Sequence, residues 1–93
     1  MIIGVLQIEL HIPHAASLKN KRAVLKSIKD RLRNRFNVSV SEVDYCDKWQ
    51  RSVLAIVTVS SDTAYVSGAL DKVERFFDTV PEVCCMDRQR ELL

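Results

Sequence analysis

Ninety-three residues, 47% hydrophobic and 28% charged, suffice for one domain with a single core (residues 1–93) and exclude a disordered or fibrous chain. The formal charge of +2 conceals a segregation, because Lys19 to Arg35 carries eight bases and one acid while the remainder carries six bases and eleven acids. An electrostatic face is therefore expected.

Three cysteines, two of them adjacent, make no disulfide framework. The apolar start, Met1 to Leu6, has no basic flank and is interrupted by Gln7 and Glu9, so neither a signal peptide nor a membrane span is expected. A cytoplasmic location without membrane contact is the expectation.

From Ile2 to Ile12 the chain alternates, with Ile2, Leu6, Ile8, Leu10 and Ile12 on one face and Gln7, Glu9 and His11 on the other. This predicts a strand with one buried face, ended by Pro13. Ser17 is placed to cap a helix, with Asn20 where a capping box has Glu or Gln. No Gly or Pro interrupts Leu18 to Phe36, and Val24, Leu25, Ile28, Leu32 and Phe36 recur at helical spacing as its buried stripe.

Val38 and Val40 then alternate with Ser39 and Ser41 in a short strand, and the out-of-phase Val43 predicts a bulge or the strand's end. Tyr45 to Arg51 reads as a connecting loop. The nearly continuous apolar run within Ser52 to Ser61 predicts a central strand covered on both faces, or nearly so. Asp62 caps a second helix whose Val66, Ala69, Leu70, Val73, Phe76 and Phe77 repeat at three and four, with Pro81 as its stop. A last strand is expected at Val83 to Met86, with charges taking over from Asp87.

The resulting order, βαββαβ, is the ferredoxin-like pattern of the α+β class. It places two helices on one face of a four-stranded antiparallel sheet, with the first and third strands central.

On the first helix, Lys19, Arg22, Lys26, Lys29 and Arg33 fall within an arc of roughly 80° beside the buried stripe, with Arg31 and Arg35 on its opposite flank. Like charges at this spacing repel by a few tenths of a kcal/mol per pair. A polyanion relieves that repulsion, and phosphates release counterions when neutralised, so nucleic acid is the sharper reading. A solvated helix face and an acidic protein partner are the alternatives. The surface expected to touch phosphates comprises Lys19, Lys21, Arg22, Lys26, Lys29, Arg33 and Arg35, with Trp49 and Arg51 at one end. Trp49 either stacks a splayed base or folds back over the core's edge.

Other constellations are weaker. Asp44 and Asp47 suit a cation or, more ordinarily, the backbone N–H groups of Asx-turns. His11 and His14 have no second pair of ligands at zinc-like spacing, and Cys84 and Cys85 point to opposite sides of a strand. No triad, dyad or cofactor loop is present, so neither an enzyme, nor a metal site, nor a cofactor is expected. The central strands lack the aromatics that RNA-recognition modules place there, so base stacking on the sheet is not expected either.

Across Ser17-Leu18-Lys19-x-Lys21-Arg22, Arg31-Leu32-Arg33-x-Arg35-Phe36-Asn37-Val38-Ser39-Val40, Glu42-Val43-Asp44, Asp47-x-Trp49-Gln50-Arg51 and Leu70 to Phe76, the chain resembles the YlxP-like family of small bacterial proteins. The resemblance covers nearly the whole chain. Asn20 departs from it where an acid is usual, and Lys48 where an apolar residue is commoner. The resemblance implies a ferredoxin-like domain of unknown function. The family's genes often lie beside those of translation initiation and ribosome-maturation factors, which by association implies RNA or a ribosomal particle as partner. The expectation is a non-catalytic RNA-binding or ribosome-associated factor. The alternative is a protein-interaction module that docks an acidic partner or forms a homodimer, with the last strand as a candidate edge.

Overall fold

The computed structural model describes all of residues 1–93. Strand β1 (Ile2–His11) leads to helix α1 (Leu18–Arg35), strands β2 (Ser39–Asp44) and β3 (Arg51–Ser60), helix α2 (Thr63–Phe77) and strand β4 (Cys84–Leu92). The strands form one sheet in the order β2-β3-β1-β4, and every neighbouring pair is antiparallel. This is the ferredoxin-like α+β arrangement, with β1 and β3 central.

Period-two alternation sends Leu6, Ile8 and Leu10 of β1 and Leu54 and Ile56 of β3 to the face that carries both helices. There they meet Leu25, Ile28 and Leu32 of α1 and Val66, Leu70, Val73, Phe76 and Phe77 of α2 in one core. Gly4 is what lets α2 approach, because a Cβ on it would collide with Val66 Cγ1. Neither helix is long and apolar enough to cross a membrane.

Three expectations are corrected. First, β3 is covered on one face only, since Val53, Ala55 and Val57 are half-buried and Val59 is 51% exposed. Valine's preference for strands reflects fit to a pleated, half-buried surface as much as full burial, so an apolar run does not demand a second layer. Second, Pro81 does not stop α2. The helix ends at Phe77, and Thr79 and Val80 close turns onto the Phe76 and Phe77 carbonyls.

Third, the last strand begins at Cys84 and runs six residues beyond Met86, to Leu92. Its charges belong to the strand. Arg88 and Arg90 alternate onto the helix side and pair with Asp78, Glu74 and Asp71 of α2. Both edges of the sheet carry an irregularity: the β2–β3 register slips around Val43, as its phase predicts, and the β1–β4 register slips around Met86.

Candidate nucleic-acid interface

Helix α1 starts as its sequence directs. Ser17 Oγ accepts from the Asn20 N–H at 3.0 Å, and Asn20 Oδ1 accepts in return from the Ala16 N–H at 3.3 Å. The reciprocal cap is thus kept with an amide in place of a carboxylate, one residue upstream of the usual donor. No acid sits in the first turn, so the positive end of the helix dipole is left uncompensated.

The row Lys19, Arg22, Lys26, Lys29 and Arg33 lies on the flank of α1 that faces β2, where Arg33 Nη2 donates to the Val40 carbonyl at 3.0 Å. Asp30 is the row's one counter-charge. Lys26 donates to it at 2.7 Å and Arg33 stands 3.8 Å away, and the Lys26 hydrogen bond holds its carboxyl below the usual aspartate range. Lys19, Arg22 and Lys29 have no carboxylate within salt-bridge distance.

Lys21 does not belong to this surface. It is 1% exposed, and its Nζ donates to the Tyr45 carbonyl at 2.6 Å and lies 2.8 Å from Glu42 Oε2, which also accepts from Ser52 Oγ at 2.7 Å. Its position gives the reason: Lys21 stands four residues before Leu25 and seven before Ile28, in the middle of the buried stripe. The ammonium fastens the β2–β3 loop to α1 just where Tyr45 adopts a left-handed φ of 57°.

Arg35 lies outside the row, as helical spacing predicts. It sits on the opposite flank with Arg31, their guanidinium carbons 5.6 and 5.3 Å from the Phe76 ring centre, and Arg35 lies 5.5 Å from that of Phe36.

The loop after β2 and the start of β3 bring Trp49 and Arg51 to one open recess, with His11, Lys48 and Gln50. Trp49 is 54% exposed, so it does not fold over the core. The Gln50 side-chain Nε2 donates to the Pro13 and Ala15 carbonyls, 3.2 Å each, which holds the loop beside the start of α1. Arg51 turns to the helix-free face of the sheet. There it donates to Glu9 at 2.7 Å and to the Tyr45 hydroxyl at 3.1 Å, and lies 4.0 Å from the centre of that ring. The Glu9 hydrogen bond raises its already high pKa. Arg51, 49% exposed, thus already has a carboxylate partner. Asp44 serves the backbone, accepting from the Tyr45 N–H at 2.7 Å.

The structure adds residues that no motif announces. Between the end of α1 and the first turns of α2 lies a cleft of about 490 Å³ lined by Arg35, Phe36, Asn37, Ala64, Tyr65, Gly68, Ala69 and Lys72. A smaller recess beside it adds Arg75. Lys72 and Arg75, like Arg35, make no ion pair, because the carboxylates of α2 (Asp71, Glu74 and Asp78) are taken by Arg88 and Arg90 of β4. The hydrogen bond to Asp78 also raises the Arg88 pKa. The signal for this cleft was faint: Tyr65, Gly68 and Lys72 recur at three and four outside the apolar stripe of α2.

The remaining chemistry-bearing residues do not converge. His11 pairs across strands with Cys84, and no three His, Cys, Asp or Glu side chains come together in a geometry that could hold a metal ion. Burial pushes the Cys85 thiol up, which disfavours the thiolate a nucleophile needs.

A family model described as "Protein of unknown function (DUF503)" matches residues 3–90. The uncharacterized protein YlxP of Bacillus subtilis (strain 168) is 46% identical over 82 residues, which span 88% of this chain and 89% of that protein.

Proposed function

The chain belongs to the DUF503 family of proteins of unknown function, and from that premise we propose a non-catalytic RNA-binding or ribosome-associated factor that holds phosphates on its helix layer. One observation carries the reading. Seven cations on that side, Lys19, Arg22, Lys29, Arg31, Arg35, Lys72 and Arg75, have no carboxylate partner, while Asp30, Glu42, Asp71, Glu74 and Asp78 are already paired with other bases. Unpaired cations spread over two helices gain from a polyanion what isolated surface ion pairs do not supply. The association of the family's genes with translation factors favours RNA over DNA.

The test is binding of a ribosomal RNA fragment and of duplex DNA by the purified protein across a salt series. A steep fall in affinity with salt and a preference for RNA are expected. Replacing Lys19, Arg22 and Lys29 together with Glu removes no hydrogen bond or ion pair of the fold, so the variant stays folded and loses RNA binding. Unchanged RNA affinity in that variant ends the reading, and the same face then serves an acidic protein.

Self-association is the second reading, favoured by the half-exposed band of Ile3, Val5, Val53, Ala55, Val57 and Val59 on the helix-free face. A sheet of four strands, three of nine or ten residues and an edge strand of six, offers at most roughly 19 by 30 Å to a second copy. That is near the lower limit for a stable dimer. Concentration-dependent mass in sedimentation supports it, and a strict monomer at all concentrations removes it.

A further inference from the structure

We infer that the cleft between α1 and α2 takes one unpaired nucleotide of a single strand, its base against Tyr65 and its phosphate between Arg35 and Lys72. The inference rests on the RNA-binding reading and deepens it.

The cleft, about 490 Å³, is within the size range of small-ligand sites. Its walls offer two kinds of recognition at once. Arg35 and Lys72 face it from different helices without any carboxylate partner, and Arg35 is held in place by its stacking on Phe36 and Phe76. Tyr65 is 50% exposed beside them, and Asn37 adds an amide that can both donate and accept. A flat ring joined to a phosphate matches this pairing of aromatic and cation.

Gly68 is an independent observation. It stands in the interior of α2, where glycine is disfavoured, yet its φ is not positive and a Cβ on it would meet nothing within 4 Å. Neither the backbone nor the packing of the fold requires it. Gly4 is the contrast, since there a Cβ collides with α2. What the missing side chain at Gly68 does is leave the floor of the cleft open.

A duplex keeps its bases stacked and paired inside, so only an unpaired nucleotide can enter. The row on the far flank of α1 would track the backbone of either form. The cleft therefore distinguishes single strands from duplexes, and the row does not.

The experiment is fluorescence anisotropy with two labelled probes, a twelve-nucleotide oligoadenylate and a twenty-base-pair RNA duplex, with Gly68→Met, Tyr65→Ala and Tyr65→Phe proteins. Gly68→Met and Tyr65→Ala are expected to weaken single-strand binding about tenfold or more and to leave duplex affinity within about twofold. Tyr65→Phe, which keeps the ring, restores most of the single-strand affinity. Gly68→Met favours the helix, so its folded state is checked by thermal unfolding rather than assumed.

Single-strand affinity within twofold of wild type in Gly68→Met overturns the cleft and leaves the row intact. If the wild-type protein binds neither probe at low salt, the RNA-binding reading itself falls, and the cleft with it.

Discussion

Lys21 shows how much one position in a helix decides. Its ammonium is enclosed, and Glu42, only 18% exposed, is its counter-charge. Removing one partner of such a pair leaves the other poorly solvated, which typically costs about 3–5 kcal/mol in a fully buried setting and less where one partner touches water. Lys21→Ala should therefore lower unfolding free energy by about 2–4 kcal/mol in a urea titration. An effect below about 0.5 kcal/mol would mean the pair is a surface contact. The two glycines have opposite fates. Gly68→Ala should stabilise by about 0.5–1 kcal/mol, raising the unfolding midpoint by roughly 2–8 °C, because helix propensity improves and nothing is displaced. Gly4→Ala should destabilise by about 1–3 kcal/mol through its clash with Val66. Among the thiols, burial holds Cys85 above its ordinary pKa, so its neutral form is favoured in the folded state. Its contribution to stability is then present below pH 9 and lost as pH rises through the elevated pKa. At pH 8, exposed Cys46 and Cys84 should alkylate faster than Cys85 by mass spectrometry, and equal rates would contradict its burial.

Among the elements, α1 is two surfaces on one rod. Its β2-facing flank carries the row that ends with Arg33 on the Val40 carbonyl, and its other flank carries Arg31 and Arg35 toward Phe76. The row was legible because 3.6-residue periodicity alone places Lys19, Arg22, Lys26, Lys29 and Arg33 together. The burial of Lys21 was also open to that periodicity, since it shares the phase of Leu25 and Ile28. Its charge concealed it, because a lysine in a stripe is read as an interruption and not as a member. Strand β4 was hidden for a similar reason. Its helix-side positions Arg88 and Arg90 are as polar as their neighbours, so no apolar alternation marks the strand. Their partners are the carboxylates of α2. Arg88→Glu together with Arg90→Glu should turn those pairs repulsive and speed amide exchange across Cys84–Leu92, while β1 and β3 stay protected. Uniform exchange throughout the sheet would show that β4 does not depend on them.

At the scale of the molecule, charge is sorted between its two broad faces. The helix layer keeps its unpaired cations, whereas the helix-free face carries Glu9, Asp44, Asp87 and Glu91 around an apolar band, and Arg51, the one base its strands place there, is engaged by Glu9. A polyanion is steered to one side and repelled from the other. Val57→Glu should accordingly abolish any self-association seen in sedimentation and leave RNA affinity unchanged. A parallel loss of RNA binding would place nucleic acid on the sheet instead.

What the sequence by itself determined is the order of elements, the core stripes, the caps at Ser17 and Asp62, and the row on α1. Each of these depends on residues within a turn or a strand of one another, where backbone geometry sets which side chains share a face. Which cations remain free was decided only by the tertiary structure. Lys21 is neutralised by Glu42, Arg51 by Glu9, and the acids of α2 by the arginines of β4, all partners brought close by folding. The cleft has the same origin, since its walls come from two helices that β2 and β3 separate along the chain. Periodicity is a property of one segment, whereas ion pairing and cavities belong to the packing between segments.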